Sequence, residues 1–465
     1  MDTIFNYLAV IYKNMLYSFL KILMRTTVRI FFRSITILNK ESIPNKGPLL
    51  VLANHPSTFL DPIVIATMLD RKVFFLAKGE LFKSAFTKWF LPKLSMIPVY
   101  RKQDDPSQMS KNQDTFKKCY EHLEKGGAIL MFPEGISITE RKLRPIKTGA
   151  ARIVMGAEAN NDFKLGANVV TIGLNYVNPH RFNKDVFVNI DEPIKVSDYK
   201  SDYEKDNFRA VEMLTEKIRM KLEGLVIAIE DDKTDELVKN VETLYKYKLT
   251  KDSGFSKNDQ VADFTITKNI FESVKYFSIH KPEFVDSLRS RIDEYFSKLQ
   301  LLGINDIDIA RNLKNKGFFG STILALLTII IGFPFYLYGL INNYLPFQIP
   351  ALIAENVIKS KEFRGPIAMV SGMFTFIIFY TIQIILVNRF FDNIIISISY
   401  ASTLPLFGVF TYWYFHTVTK IKNKWMLLML FYKKSVFISN LISERELLIA
   451  EFDKAKEEYQ GMMAD

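Results

Sequence analysis

The chain has 465 residues, 48% of them apolar, 14% aromatic and 24% charged. That length leaves room for two or three domains and a sizeable core, and it excludes a disordered chain, a collagen-like repeat and a disulfide-stapled mini-domain. The single cysteine, Cys119, permits neither an internal disulfide nor a paired-cysteine zinc site and points to a reducing compartment. The formal net charge of +11 is unevenly spread, because residues 1–101 hold 14 Lys/Arg against 5 Asp/Glu. A basic segment of this kind suits nucleic acid, anionic lipid head groups or a phosphorylated substrate.

Met1–Arg33 is rich in Phe, Tyr, Leu and Ile, with Lys21, Arg25, Arg29 and Arg33 spaced four apart. On a helix these four make a slowly drifting basic stripe opposite an apolar face. Residues 1–40 are therefore expected to form an interfacial amphipathic helix, its bases near lipid phosphates. A signal peptide fits less well. Asp2 precedes the apolar run, Lys13 interrupts it, and no small-residue cleavage site follows. The same interleaving of bases with lipid-seeking side chains, without a nucleic-acid motif, argues against a nucleic-acid partner.

From residue 41 to about 195, short apolar runs alternate with helical stretches. The expected strands are Leu49–Ala53, Val73–Ala77, Ile97–Tyr100, Ala128–Phe132, Val169–Leu174 and Val186–Ile190. Helical spacing falls between them, as in Pro62–Leu69, Asp114–Glu124 and Gly149–Ala159. This alternation predicts an α/β domain built on a largely parallel or mixed sheet flanked by helices.

Residues 196–316 are charged and helical in pattern, for example over Asn207–Ile229 and Lys233–Tyr247, with an expected loop at Lys251–Asp259; they read as a helical accessory region. Three stretches then carry no Asp, Glu, Lys or Arg: Gly317–Ala354, Gly365–Asn388 and Asn393–Thr419. A bilayer span needs about 20 mostly apolar residues, so each is long enough, and residues 317–419 are expected to be transmembrane. Pro334 near the middle of the first stretch makes a re-entrant hairpin an alternative to a full span there. Residues 420–465 form a basic, helical C-terminal tail.

Among five histidines, only His55 directly follows an apolar strand, at the carboxyl end where open α/β sheets bind ligands. Asp61 lies six residues on. A histidine held by a carboxylate can take a proton from a hydroxyl near neutral pH. The two side chains would stand about 120° apart on a continuous helix, so they can meet only across a turn. Asp61 before Pro62 also suits a helix N-cap with no chemistry attached. Phe132–Pro133–Glu134–Gly135 ends another strand on a constrained turn facing the same edge. Arg101 ends a third strand, where a guanidinium can grip phosphate. Lys142, Arg144 and Lys147 make a basic loop before Gly149. No cluster with metal-ligand spacing is present, so no metal is expected.

Asn54–His55 with Asp61, the Arg101-ended strand and Phe132–Pro133–Glu134–Gly135, in this order, resemble the motif blocks of the phospholipid/glycerol acyltransferase family. The resemblance covers about residues 45–195. It implies an α/β acyltransferase domain in which His55 is the general base activating a glycerol hydroxyl, Asp61 orients it, Arg101 binds the acceptor's phosphate, and Glu134 and Gly135 shape the acceptor site. Five residues separate His55 from Asp61 where the family usually has four, and Ile136–Ser137 replaces the usual Thr-Arg, which shifts phosphate binding toward Arg101 and Lys147. The longer gap is similar to fungal-type glycerol-3-phosphate acyltransferases. The resemblance implies no cofactor; acyl-CoA or acyl-carrier protein is the donor, glycerol-3-phosphate the acceptor, and membrane lipids surround an integral protein whose catalytic domain faces the cytoplasm. A lysophospholipid acceptor and a non-catalytic scaffold of the same fold are the alternatives, the unusual gap being the scaffold's best support.

Overall fold

The computed structural model describes residues 2–101, 106–255, 259–312, 318–433 and 435–464. They divide into two compact units, residues 1–228 with 353–370, and residues 229–352 with 371–465.

The first unit opens with helix α1 (Asp2–Phe31) and strand β1 (Phe32–Leu38), followed by β2 (Leu49–Ala53), α2 (Leu60–Met68), β3 (Val73–Lys78), α3 (Ala85–Phe90) and β4 (Met96–Val99). Then come α4 (Asn112–Glu124), β5 (Ala128–Met131), α5 (Gly149–Ala159), β6 (Asn168–Tyr176), β7 (Lys184–Ile190), β8 (Ile194–Lys195), α6 (Lys200–Lys205) and α7 (Asn207–Leu225). The strands form one mixed sheet in the order β1-β7-β6-β2-β5-β3-β4, with β8 on β6. β2 is parallel to both its neighbours, β5 and β6, whereas β7 and β8 run antiparallel to β6. Both faces are covered, as a parallel sheet requires. Along β2 the two-residue period sends Leu49, Val51 and Ala53 into one core, with α1 and α2, and Leu50 and Leu52 into the other, with α4, α5 and α7.

Three expectations change here. The N-terminal helix stops at Phe31, and Phe32–Leu38, assigned above to the helix, is a strand paired in parallel with β7. Its Ser34-Ile35-Thr36-Ile37 alternation suits a sheet better than a helix. Two cations of the basic stripe, Lys21 and Arg25, also face the protein, while Arg29 is exposed. Lys21 Nζ donates to the Leu69 carbonyl at 2.5 Å and Arg25 Nε to that of Thr67 at 2.9 Å, at the carbonyl-rich end of α2. Arg33, already in β1, is paired with Asp185. The outward side of α1 is instead apolar, with Met15, Phe19, Ile22 and Ile30 each about two-thirds exposed. Finally, α7 buries Ala210, Leu214, Ile218 and Leu222 against the sheet, so this compact unit runs to Ala228 and does not end near 195.

The second unit is helical: α8 (Asp232–Asp252), α9 (Gln260–His280), α10 (Pro282–Leu302), α11 (Asp306–Asn312), α12 (Phe318–Leu352), the later part of α13 (Lys361–Phe391), α14 (Ile394–Lys433) and α15 (Ser435–Ala464). The expected loop at Lys251–Asp259 falls between α8 and α9, with residues 256–258 outside those described. A buried ion pair ties the C-terminal helix into this bundle. Arg445 Nε donates to Asp306 Oδ1 at 2.7 Å, and the Tyr295 hydroxyl donates to the same oxygen at 2.8 Å. The C-terminal segment is thus bundle core, with Leu441, Leu448 and Phe452 buried. The stretch containing Pro334 is a single continuous helix, α12, and not a hairpin; Gly317 lies outside the described residues. Gly339 lets α12 pack tightly on α14, since a Cβ there would meet the Phe407 carbonyl at 2.4 Å. Among the described residues two helices, Lys361–Phe391 and Ile394–Asn423, are long and apolar enough to cross a membrane, and none of the first window and 11% of the second is buried.

Gly173 of β6 provides a test of the α7 boundary. A Cβ there would stand 2.4 Å from the Leu225 carbonyl at the end of α7. Gly173→Ala should lower stability by about 1–3 kcal/mol, read as a fall in the thermal midpoint of the purified protein.

Candidate active site

Parallel pairing of β2 with β5 sets their carboxyl ends side by side, and the two loops that leave these ends build the site. His55 leaves β2 and its ring stacks on Phe132 after β5, with centroids 3.9 Å apart and planes 12° apart. The His55 side chain keeps 18% exposure, whereas the Asp61 side chain has none. His55 Nδ1 and Asp61 Oδ2 are 2.8 Å apart. An Asp61 carboxylate accepts the Nδ1 proton, which leaves Nε2 to take a proton from elsewhere.

The pair meets across a turn, as its spacing requires. The Leu60 amide donates to the Ser57 carbonyl at 2.9 Å, and the Ser57 amide donates to Asp61 Oδ2 at 2.7 Å. Asp61 sits inside the first turn of α2, whose capping position is Phe59, so Asp61 is not the N-cap. Within this gap Thr58 takes a positive φ of 37°. A β-branched residue there is strained and needs bracing. Its amide donates to Ser137 Oγ at 2.7 Å, and its hydroxyl donates to the Glu362 carbonyl at 3.1 Å. Ser137, one of the departures noted above, is thus part of the brace.

Glu134 is 5% exposed. One carboxylate oxygen accepts from the His55 amide and the other from the Arg144 amide, each at 2.8 Å. Burial pushes its carboxyl up from the usual range, and the two amides oppose that by favouring the anion. Gly135 follows with φ +72°. Arg101 Nη1 donates to its carbonyl, and the Lys147 amide donates to the Pro133 carbonyl at 3.0 Å. Lys147 Nζ lies 2.7 Å from where a Cβ on Gly135 would be. All six residues named from the sequence (His55, Asp61, Arg101, Glu134, Gly135 and Lys147) therefore gather at one sheet edge, with two cationic side chains converging on Gly135. Arg144 turns its side chain to Glu140, and Lys142 stands 3.8 Å from the same carboxylate. Among the described residues no group of three or more His, Cys, Asp or Glu is placed to hold a metal ion.

One contributor, Tyr176, was not foreseen, and Asn54 was named only as part of a motif block. Asn54 bridges β2 to β6 through both amide atoms, accepting from the Leu174 amide at 2.7 Å and donating to the Leu174 carbonyl at 3.0 Å. Tyr176, the last residue of β6, donates its hydroxyl to Asp61 Oδ1 at 2.9 Å and stacks on Phe32. Burial, then the neighbouring carboxylate, pushes its phenol well up, so it stays a donor. Asp61 is thus held by His55, Ser57 and Tyr176 together. Only the polar end of an otherwise apolar strand hinted at Tyr176.

The family model described as Acyltransferase matches residues 34–175. Glycerol-3-phosphate O-acyltransferase 2 of Saccharomyces cerevisiae is 32% identical over 136 residues, 29% of this chain and 18% of that protein. Glycerol-3-phosphate O-acyltransferase 1 of the same yeast is 28% identical over 133 residues, 28% of this chain and 17% of that protein. The chloroplastic 1-acyl-sn-glycerol-3-phosphate acyltransferase LPAT1 of Arabidopsis thaliana is 31% identical over 144 residues, 31% of this chain and 36% of that protein. The chain thus spans under a fifth of the yeast relatives and about a third of the plant one. The 1-acyl-sn-glycerophosphate acyltransferase PlsC of Thermotoga maritima overlays at a TM-score of 0.30 and 20% identity, covering 43% of this chain and 80% of that one, too slight a likeness to argue from. Residues 34–175 thus match the acyltransferase family model and are similar to proteins named as glycerol-3-phosphate and 1-acylglycerol-3-phosphate acyltransferases.

Tyr176→Phe removes one hydrogen bond from Asp61 and leaves the ring in place. For the acyl transfer proposed below, its kcat should fall about tenfold, or about 1.4 kcal/mol, with KM for the acceptor unchanged. Steady-state kinetics that changed KM alone would separate Tyr176 from the histidine–carboxylate pair.

Proposed function

We propose that the protein is a membrane-bound acyltransferase that moves a fatty acyl group from a thioester, acyl-CoA or acyl-carrier protein, to glycerol-3-phosphate. The observation that carries this reading is the His55 Nδ1–Asp61 Oδ2 contact of 2.8 Å at the strand edge where Arg101 and Lys147 converge. His55 Nε2 takes the proton from the acceptor hydroxyl as its oxygen attacks the thioester carbonyl. The tetrahedral oxyanion collapses, the carbon–sulfur bond breaks, and the imidazolium returns the proton to the departing thiolate. Arg101 and Lys147 hold the acceptor phosphate over Gly135, with Glu134 setting the position of both flanking loops. No cofactor takes part in this scheme.

The reading favours glycerol-3-phosphate because the five-residue His55–Asp61 gap is similar to that of fungal-type enzymes of this specificity. A lysophosphatidate acceptor is the second reading, supported by the relatives named for that activity. The contact between His55 and Asp61 counts against the scaffold alternative, since the longer gap does not part them. The uncovered apolar windows of Lys361–Phe391 and Ile394–Asn423 support an integral membrane protein.

His55→Ala should lower thioester cleavage by about a hundred- to ten-thousandfold in the detergent-purified protein supplied with glycerol-3-phosphate. Full retained activity would defeat the mechanism. Presenting labelled glycerol-3-phosphate and lysophosphatidate together decides the acceptor, and preferential acylation of the lysolipid would replace the first choice by the second. Gly135→Ala puts a methyl where Lys147 now lies. It should raise KM for the phosphorylated acceptor by about tenfold, the weight of one charge-assisted contact.

A further inference from the structure

At the other end of α2 from Asp61, Tyr17, Lys21, Ile22 and Arg25 of α1 face the turn Asp70–Arg71–Lys72 across a cavity of about 600 Å³. At 1.5 Å per residue, the nine residues of α2 put this cavity roughly 13 Å along that helix from the catalytic carboxylate. Four cationic side chains line it against one carboxylate, and that carboxylate, Asp70, is already paired with Lys40 at 2.8 Å. Lys21 bears the effect of this crowding. Burial, then the neighbouring Arg25 charge, pulls its ammonium below the usual lysine range. The Lys72 ammonium stands 5.1 Å from the Tyr17 ring centroid, so the wall is aromatic as well as basic.

We propose that this cavity is a binding site for a phosphate-bearing anion, and that its occupant is the head group of an anionic phospholipid. Excess positive charge in a concave, partly buried surface is relieved by an anion, and phosphate matches guanidinium and ammonium donors. The lipid is favoured over free phosphate by what adjoins the cavity. Ile22 lines it and is 66% exposed, and Phe19, 64% exposed, lies one turn earlier on the same helix. A head group in the cavity would lay its acyl chains along this outward apolar face. The basic stripe read from the sequence thus does serve lipid phosphate, but through a formed recess behind the apolar face. The site is separate from the acceptor site at Gly135 and does not depend on acyl transfer.

The test uses the full chain in detergent, observed by native mass spectrometry with added phosphatidylglycerol, phosphatidylcholine of the same chains, or inorganic phosphate. Wild type should retain one phosphatidylglycerol in preference to phosphatidylcholine, and Arg101→Ala should do the same, which excludes the acceptor site as its location. Lys72→Glu and, separately, Arg25→Gln should each lose about tenfold or more in affinity for it, the weight of a charge-assisted contact. Circular dichroism and thermal midpoints establish that each variant is folded, and Lys72→Ala serves where Lys72→Glu is not. Inorganic phosphate binding that these substitutions weaken, without lipid preference, would keep the anion site and assign it to free phosphate, overturning the head-group assignment. Equal retention of both lipids with no phosphate binding, or phosphatidylglycerol binding unchanged in both variants, would overturn the site itself.

Discussion

The architecture of the candidate site depends on one buried carboxylate. Glu134 accepts the His55 amide on one oxygen and the Arg144 amide on the other, so it joins the loop leaving β2 to the loop leading into α5. Both bonds are possible only because β2 and β5 are adjacent and parallel, which brings two chain segments 79 residues apart to the same edge. A buried charge is tolerated where hydrogen bonds satisfy it, and here the partners are main-chain groups that no side-chain substitution elsewhere can remove. Once the His55 loop is so placed, the ring lies against Phe132, and Asp61 in the first turn of α2 comes within reach of Nδ1.

Six of the eight strands and the residues at their ends were legible because both follow from local rules. Short apolar runs between helical stretches mark the strands, and a parallel sheet has only one edge at which polar residues of several strands can meet. His55, Arg101 and Glu134 each directly follow such a run. Tyr176 was not legible for the converse reason. It ends a strand too, but its role exists only through Asp61, 115 residues earlier in the chain, and nothing local distinguishes it from an ordinary strand-end tyrosine.

The N-terminal helix shows a different limit. Its periodicity was read correctly, with cations along one side and apolar residues along another. Periodicity does not say which side meets the protein. In an isolated amphipathic helix the cations would face water or lipid phosphate. Here the unpaired carbonyls at the end of α2 attract Lys21 and Arg25 inward, and Val28 and Phe31 enter the core. The apolar side is left outward as a consequence. The strand after it was missed for the same reason, since Phe32–Leu38 continues the apolar character of the helix while its partner, β7, lies about 150 residues away in sequence.

Thr58, between His55 and Asp61, connects the segment that matches the family model to a segment beyond it. Thr58 holds a positive φ that an isolated loop would relax, because strain of this kind persists only when the surroundings over-determine it. One restraint, Ser137, comes from within the segment that matches the family. The other, the Glu362 carbonyl, belongs to the opening turn of α13, some 300 residues downstream. That turn is itself fixed on the first unit: Met369 is buried in the core with α1 and α2, and Gly365 approaches the Pro179 carbonyl too closely for any side chain. The same helix then continues into an apolar window. The loop between the histidine and its carboxylate and the opening turn of α13 are therefore joined by a hydrogen bond in one compact unit, although the chain between them runs for some 300 residues.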